Sequence, residues 1–111
     1  MFRMNYATLL IKITTKPEQS FFDNQITATE FIGKFYQYRK NYNTLCKISV
    51  WGNLAYDLVR YYQVNDYLIV EGYILVQNST SSLEDLNLKT SIEIIASKIY
   101  PFALTKKNNF F

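Results

Sequence analysis

The sequence predicts an all-β fold, a five-stranded Greek-key barrel with one short helix between its third and fourth strands. Three observations carry this. In Cys46 to Trp51 apolar and polar residues alternate, with Cys46, Ile48 and Val50 on one face and Lys47, Ser49 and Trp51 on the other, the pattern of a half-buried strand. Directly afterwards Leu54, Ala55, Leu58, Val59 and Tyr62 recur at helical spacing and give one apolar stripe on a helix of about two to three turns. From Tyr67 the period returns to two, with Leu68, Val70, Ile74 and Val76 against Tyr67, Ile69, Glu71 and Tyr73.

The other elements follow in order. Tyr6 to Thr14 alternates Ala7, Leu9, Ile11 and Ile13 against Thr8, Leu10, Lys12 and Thr14 and reads as the first strand, ended by Lys16-Pro17. Glu18 to Asn24 reads as a polar turn around Phe21 and Phe22, and Gln25 to Arg39 as a long second strand bent near Gly33. With Phe31 and Phe35 inward, Ile32, Lys34, Tyr36 and Tyr38 share its outer face, a basic and aromatic stripe. Lys40 to Thr44 is expected to be a hairpin loop with Tyr42 exposed at its tip. Gly52 breaks the third strand, Asn53 is the expected N-cap of the helix, and Val64, Asn65 and Asp66 turn the chain. Gly72 in mid-strand marks a bulge or a sharp bend. Gln77 to Lys89 is expected to be a loop, Thr90 to Ile99 the last strand, and Pro101 its end. Residues 1–104 therefore form one domain and 105–111 a short basic and aromatic tail.

Composition narrows the function. Glu71 and Lys12 interrupt the longest apolar runs, so no segment reaches the roughly 18 to 20 apolar residues of a membrane span, and the N-terminus lacks the features of a signal peptide. The single cysteine, Cys46, falls on an inward face, which assigns it to packing in a reduced compartment. There is no histidine, so neither a catalytic triad nor a zinc site can be assembled, and no enzyme activity, metal or cofactor is expected. Gly33, Gly52 and Gly72 are too scattered for a phosphate-cradling loop, Glu84 and Asp85 read as solvating charges, and Asn78-Ser79-Thr80 fits a glycosylation acceptor only by chance. Ten tyrosines, eight phenylalanines and one tryptophan exceed what a core of this size hides, although Asn, Lys, Ile, Tyr and Phe all have AT-rich codons and codon bias alone raises that count. The net charge of +3 does not by itself point to nucleic acid.

The string WGNLAYDLVRYY, the turn VND and the strand YLIVEG resemble the bacterial-type family of single-stranded DNA-binding proteins, built on the oligonucleotide-binding (OB) barrel. Asn5 before an apolar strand, Lys16-Pro17-Glu18 and Phe31 extend the likeness over roughly residues 5–100. The resemblance implies that Trp51 stacks a base and that Lys47 is a basic contact on the same strand face. Tyr36, Tyr38 and Tyr73 are further candidate rings, and Lys12, Lys34, Arg39 and Lys40 candidate phosphate contacts whose default state is a solvated charge. Leu45 and Ser79 stand where the family carries tryptophans, which implies weaker binding or a shifted path, and the family's long extension with its acidic tip is not found.

Two functions are therefore expected to compete. One is a compact protein that coats single-stranded DNA in replication, recombination or repair, as a dimer or tetramer paired through first strands. The other is an OB-fold interaction module or primosome-like accessory subunit with weakened nucleic-acid contacts. The residue bias and the missing acidic tip favour a plastid product, in the stroma or nucleoid, over a protein of the bacterial cytoplasm.

Overall fold

Alternating residues form β1 (Ala7–Ile13), whose Ile11 and Ile13 are fully buried, and a kinked run of chain leads from it into β2 (Glu18–Phe21), β3 (Thr27–Gln37) and β4 (Tyr42–Trp51). Helix α1 (Asn53–Tyr61) follows, then the long strands β5 (Tyr67–Thr80) and β6 (Leu88–Ala103). This computed structural model describes residues 5–21, 27–39, 42–80 and 88–105, the side chains of 77–80 and 88–90 apart. Phe22, Gln25, Lys40, Glu84, Asp85 and the tail beyond Thr105 lie outside the described residues.

The strands form one sheet in the order β1-β5-β6-β4-β3-β2, and β1 pairs in addition with β3. All pairings are antiparallel except β4 with β6, which run parallel from Lys47↔Glu93 to Val50↔Ala96. The β1–β3 contact is made by Lys12↔Lys34 and Ile13↔Gly33. A Cβ at Gly33 would lie 2.3 Å from the Ile11 side chain and 3.2 Å from the Lys12 carbonyl, so the close passage of β1 over β3 requires glycine.

Inward residues from every long strand meet in one core: Ile11 and Ile13, Phe31, Cys46, Ile48 and Val50, Leu68 and Val70, Ile94 and Ala96. Ala55 and Leu58 of α1 complete it, and Leu54 and Tyr62 pack at its margin. The helix is tied to β3 by the Thr29 hydroxyl, which donates to the Ala55 carbonyl at 2.8 Å, and by Thr27, which donates to the Tyr56 hydroxyl at 2.8 Å. Burial within the core pushes the Cys46 thiol up to about 11.

Several expectations are corrected. Among the described residues there are six strands, because Glu18–Phe21 pairs with β3 and is not a turn; it lies at the end of the sheet, with three of its four residues exposed. Tyr42 is paired with Gln37 at the start of β4 and is not a loop tip, while Tyr38 and Arg39 form the turn. The helix is capped by Gly52, at φ 73°, with no side-chain cap from Asn53. Val59 lies at the exposed edge of the helical stripe and Tyr62 just past the helix end. β5 continues to Thr80 and β6 starts at Leu88, so both enter the expected Gln77–Lys89 loop, of which 81–87 lie outside the described residues, and β6 continues past Pro101 to Ala103. Proline is accommodated there because the ladder shifts register between Leu68↔Pro101 and Tyr67↔Ala103. The second shift, between Glu71↔Lys98 and Gly72↔Ala96, is the bulge expected at Gly72, where a Cβ would come 2.1 Å from the Ile95 carbonyl oxygen. Val76, expected on the same side as Leu68, Val70 and Ile74, is 57% exposed and lies outside the core that the others join.

The turn before β5 is held by Asp66, which is 1% exposed. Its carboxylate accepts from the backbone N–H of Gln63 at 2.8 Å and of Thr105 at 2.6 Å, and its carbonyl accepts from Ile13 N–H at 2.9 Å. One residue thus joins the helix end, β1 and the chain after β6.

Candidate nucleic-acid interface

The register of β3 on β4 decides which outward residues are neighbours. Phe31↔Ile48 and Gly33↔Cys46 point into the core, so the alternate pairs Ala28↔Trp51, Glu30↔Ser49, Ile32↔Lys47, Lys34↔Leu45 and Tyr36↔Asn43 form one row on the outer face. The expected assignment of Ile32, Lys34, Tyr36, Lys47 and Trp51 to that face holds, and Phe35 packs on the core. Trp51, 46% exposed, stands at one end of the row and Tyr36 at the other. Asn43, opposite Tyr36, lies eight residues from Trp51 along β4, roughly 26 Å at about 3.3 Å per residue. Tyr38, 87% exposed in the turn, sets its ring edge-on to Tyr36 with centroids 6.1 Å apart, and Arg39 follows it.

Lys47 sits midway. Two shallow depressions, of about 380 Å³ and about 340 Å³, meet at Lys47 and Ile32. The first is bounded by Lys16, Glu18 and Glu30, the second by Leu45, Ser91 and Ile92. Lys47 Nζ lies 3.3 Å from Glu30 Oε2, and its register partner on β6 is Glu93. Ser49, expected to be exposed, is buried: its hydroxyl donates to Glu93 Oε2 on the neighbouring parallel strand β6 at 2.7 Å. The two carboxylates were not among the expected site residues. The period of two places Glu30 beside Ile32 and Lys34, but its pairing with Lys47 depends on a register between positions 17 apart in sequence.

Lys12 joins this face through its pairing with Lys34, and its Nζ lies 5.6 Å from the Tyr67 ring centroid. Two lysines directly opposite repel each other. They therefore form a small positive centre where β1 meets β3. Tyr73 is more remote: it pairs with Ile95, which pairs in turn with Ser49, and its ring stands edge-on to Tyr6 at 5.6 Å. It belongs to the same outer surface but two strands away from β4. Leu45, which the resemblance sets at a tryptophan position, is exposed beside Lys34 and offers no ring. Ser79 is placed by its backbone alone, opposite Lys89.

The arrangement offers flat rings at both ends and cations between them, the components of sequence-tolerant strand binding. Among the described residues no three His, Cys, Asp or Glu side chains are grouped to hold a metal.

No family model matches the chain. The ycf41 protein of Trieres chinensis, named as a candidate single-stranded DNA-binding protein, is 48% identical over 103 residues, 91% of either chain. Among solved structures, the SSB domain of a Synechococcus sp. protein superposes with a TM-score of 0.67 at 20% identity, covering 90% of this chain and 98% of that one. The small single-stranded DNA-binding protein from Streptomyces coelicolor superposes with a TM-score of 0.71 at 17% identity, covering 87% and 93%. At those identities the two structures share the fold with this chain.

Proposed function

The chain belongs to the ycf41 single-stranded DNA-binding protein family, and from that premise we propose that it binds single-stranded DNA across the outer face of β3 and β4. The observation that carries the reading is the single row in which Trp51 and Tyr36 bracket Lys47 and Lys34. Bases stack on Trp51 and, at the other end, on Tyr36 and Tyr38; each stacked base contributes about 1 to 3 kcal/mol. Lys47, Lys34 and Lys12 neutralise phosphates between them, with Arg39 at the turn and Tyr73 at the far margin of the surface. Leu45 leaves a gap in the stacking series, so binding is weaker than a full set of rings would give.

The fold reading goes with it. We take the circuit β1-β5-β6-β4-β3, returning to β1, as the five-stranded OB barrel, with β2 an added edge strand and residues 1–104 as one domain. Among the described residues only Lys12 and Ile13 of β1 pair with β3 and the second edge of Ala7 to Ile11 has no partner strand, while half-exposed Leu10 lies on the outer face of the same strand. An open edge of this kind is a template for a second copy, and we assign the dimer contact to it. The relative from a plastid-bearing alga supports a plastid protein that coats exposed strands in replication, recombination or repair.

The test is binding of labelled poly-dT with duplex DNA as control, followed by the emission of Trp51. Saturable binding of poly-dT with quenching is expected, and sedimentation should give a species of at least twice the chain mass. Absence of poly-dT binding at low salt overturns the reading in favour of an interaction module.

A further inference from the structure

The best-placed cation on the proposed strand path is already occupied. Lys47 lines both depressions of the β3–β4 face, yet its ammonium is 3.3 Å from Glu30 Oε2, and both side chains are close to half exposed. A second carboxylate, Glu93, is its register partner on the other side. The two acids are held differently. Glu93 is tethered by the buried Ser49 hydroxyl at 2.7 Å, so its position is fixed by the β4–β6 pairing. Glu30 is held through Lys47 itself, on an exposed strand face where an ion pair is weak. In register on the other side of Glu30 is Glu18, a like charge that further loosens it.

We propose that Glu30 is a displaceable counter-ion of the binding face: it holds the Lys47 ammonium in the free protein, and a backbone phosphate of the bound strand takes its place. This rests on the strand-binding reading above and names a residue that tunes it. The exchange swaps one anion for another at the same ammonium. A strand contact at Lys47 therefore gains little net charge neutralisation, because the released carboxylate retains a cation beside the strand. Lys34, in the same row, and Lys12, its partner across β1–β3, have no carboxylate opposite them in the β1–β3 and β3–β4 registers, so they contribute the ordinary release of about 0.7 counter-ion per phosphate.

A double-mutant cycle on poly-dT affinity decides the matter, using wild type, Glu30→Gln, Lys47→Gln and the double variant, each titrated at several salt concentrations. Removing Glu30 relieves repulsion of phosphate in either background, but removes an ion pair only where Lys47 is present. Glu30→Gln is therefore expected to tighten binding more in the wild-type background than in the Lys47→Gln background, by about two- to fivefold, the range of exposed ion pairs. It should also steepen the salt dependence by up to about 0.7 where Lys47 is retained. Equal gains in both backgrounds would reduce Glu30 to a distant repulsive charge and overturn the proposal while strand binding stands. Weaker binding by Glu30→Gln would overturn it as well, making Glu30 a brace that orients Lys47. If wild type does not bind poly-dT at low salt, the strand-binding reading fails and the exchange fails with it, whatever Glu30→Gln does.

Discussion

Two regions of this protein use the same chemical groups to opposite ends. At the closed end, Asp66 is buried and accepts two backbone N–H groups, from Gln63 and Thr105, so its charge is fully committed to tying three elements together. On the open β3–β4 face, Glu30 is half exposed and meets a flexible lysine. A buried carboxylate without its donors costs far more than an exposed ion pair contributes. Substitutions at the closed end should therefore cost stability and leave strand affinity intact, and those on the open face should do the reverse.

The largest effect is expected at Leu58, which is fully buried in the core. Leu58→Ala should lower unfolding free energy by about 2 to 5 kcal/mol in urea titration, with poly-dT affinity of the folded fraction unchanged. A loss under half a kcal/mol would mean that the helix does not close the core. Asp66→Ala comes next, at about 3 kcal/mol, because it strands the N–H groups of Gln63 and Thr105. Asp66→Asn keeps one acceptor and should lose about half as much; equal losses would show that charge, not the acceptor, is what holds the turn.

Trp51 tests the other region. Trp51→Ala should weaken poly-dT binding about five- to 150-fold with little change in melting temperature, and Trp51→Phe, which keeps an aromatic face, much less. If Trp51→Ala instead lowered the melting temperature and dissociated an oligomer, the two-region distinction would break at its clearest point.

The smallest effect lies on β4, where Cys46 faces the core and its neighbour Lys47 faces the site. The folded thiol titrates near 11 instead of 9.0, so below pH 9 both states hold the proton and stability is at its full value. Between about pH 9 and 11 only the unfolded chain ionises, and stability falls; two units correspond to at most about 2.7 kcal/mol. Tyr62, also raised, by burial first and then by Asp57 and Asp66, adds a loss of the same sign at the top of that window. Cys46→Ala should flatten the stability curve between pH 9 and 11 in urea titrations. An unchanged slope would show that the thiol is hydrated in the fold.

What could be read from residues alone follows from how each segment is solvated. Cys46 to Trp51, the helical stripe and the Gly72 bulge were legible because one face of each is buried and the period shows. β2 and the outer part of the β5–β6 pair were not, since Glu18 to Phe21 and Gln77 to Thr80 carry no apolar alternation. Pro101 misled because a proline ends a regular strand but is tolerated where the ladder slips. In the candidate site, the faces of Lys34, Tyr36, Lys47 and Trp51 were recoverable from period two. The Lys47–Glu30 pair and the burial of Ser49 were not, because they depend on strand register and on a parallel neighbour 44 residues away.

That parallel neighbour has a consequence for how the chain is made. β4 acquires its partner along Lys47 to Val50 only when Glu93 to Ala96 of β6 have been synthesised. At about 5 to 20 residues per second, the roughly 50 residues between Trp51 and the end of β6 take about 3 to 10 s to emerge. During that interval Ile48 and Val50, fully buried in the finished protein, face water on a hairpin that cannot yet close. The nascent chain is thus most prone to associate with its neighbours on the ribosome after β4 has been synthesised and before β6 exists to cover it.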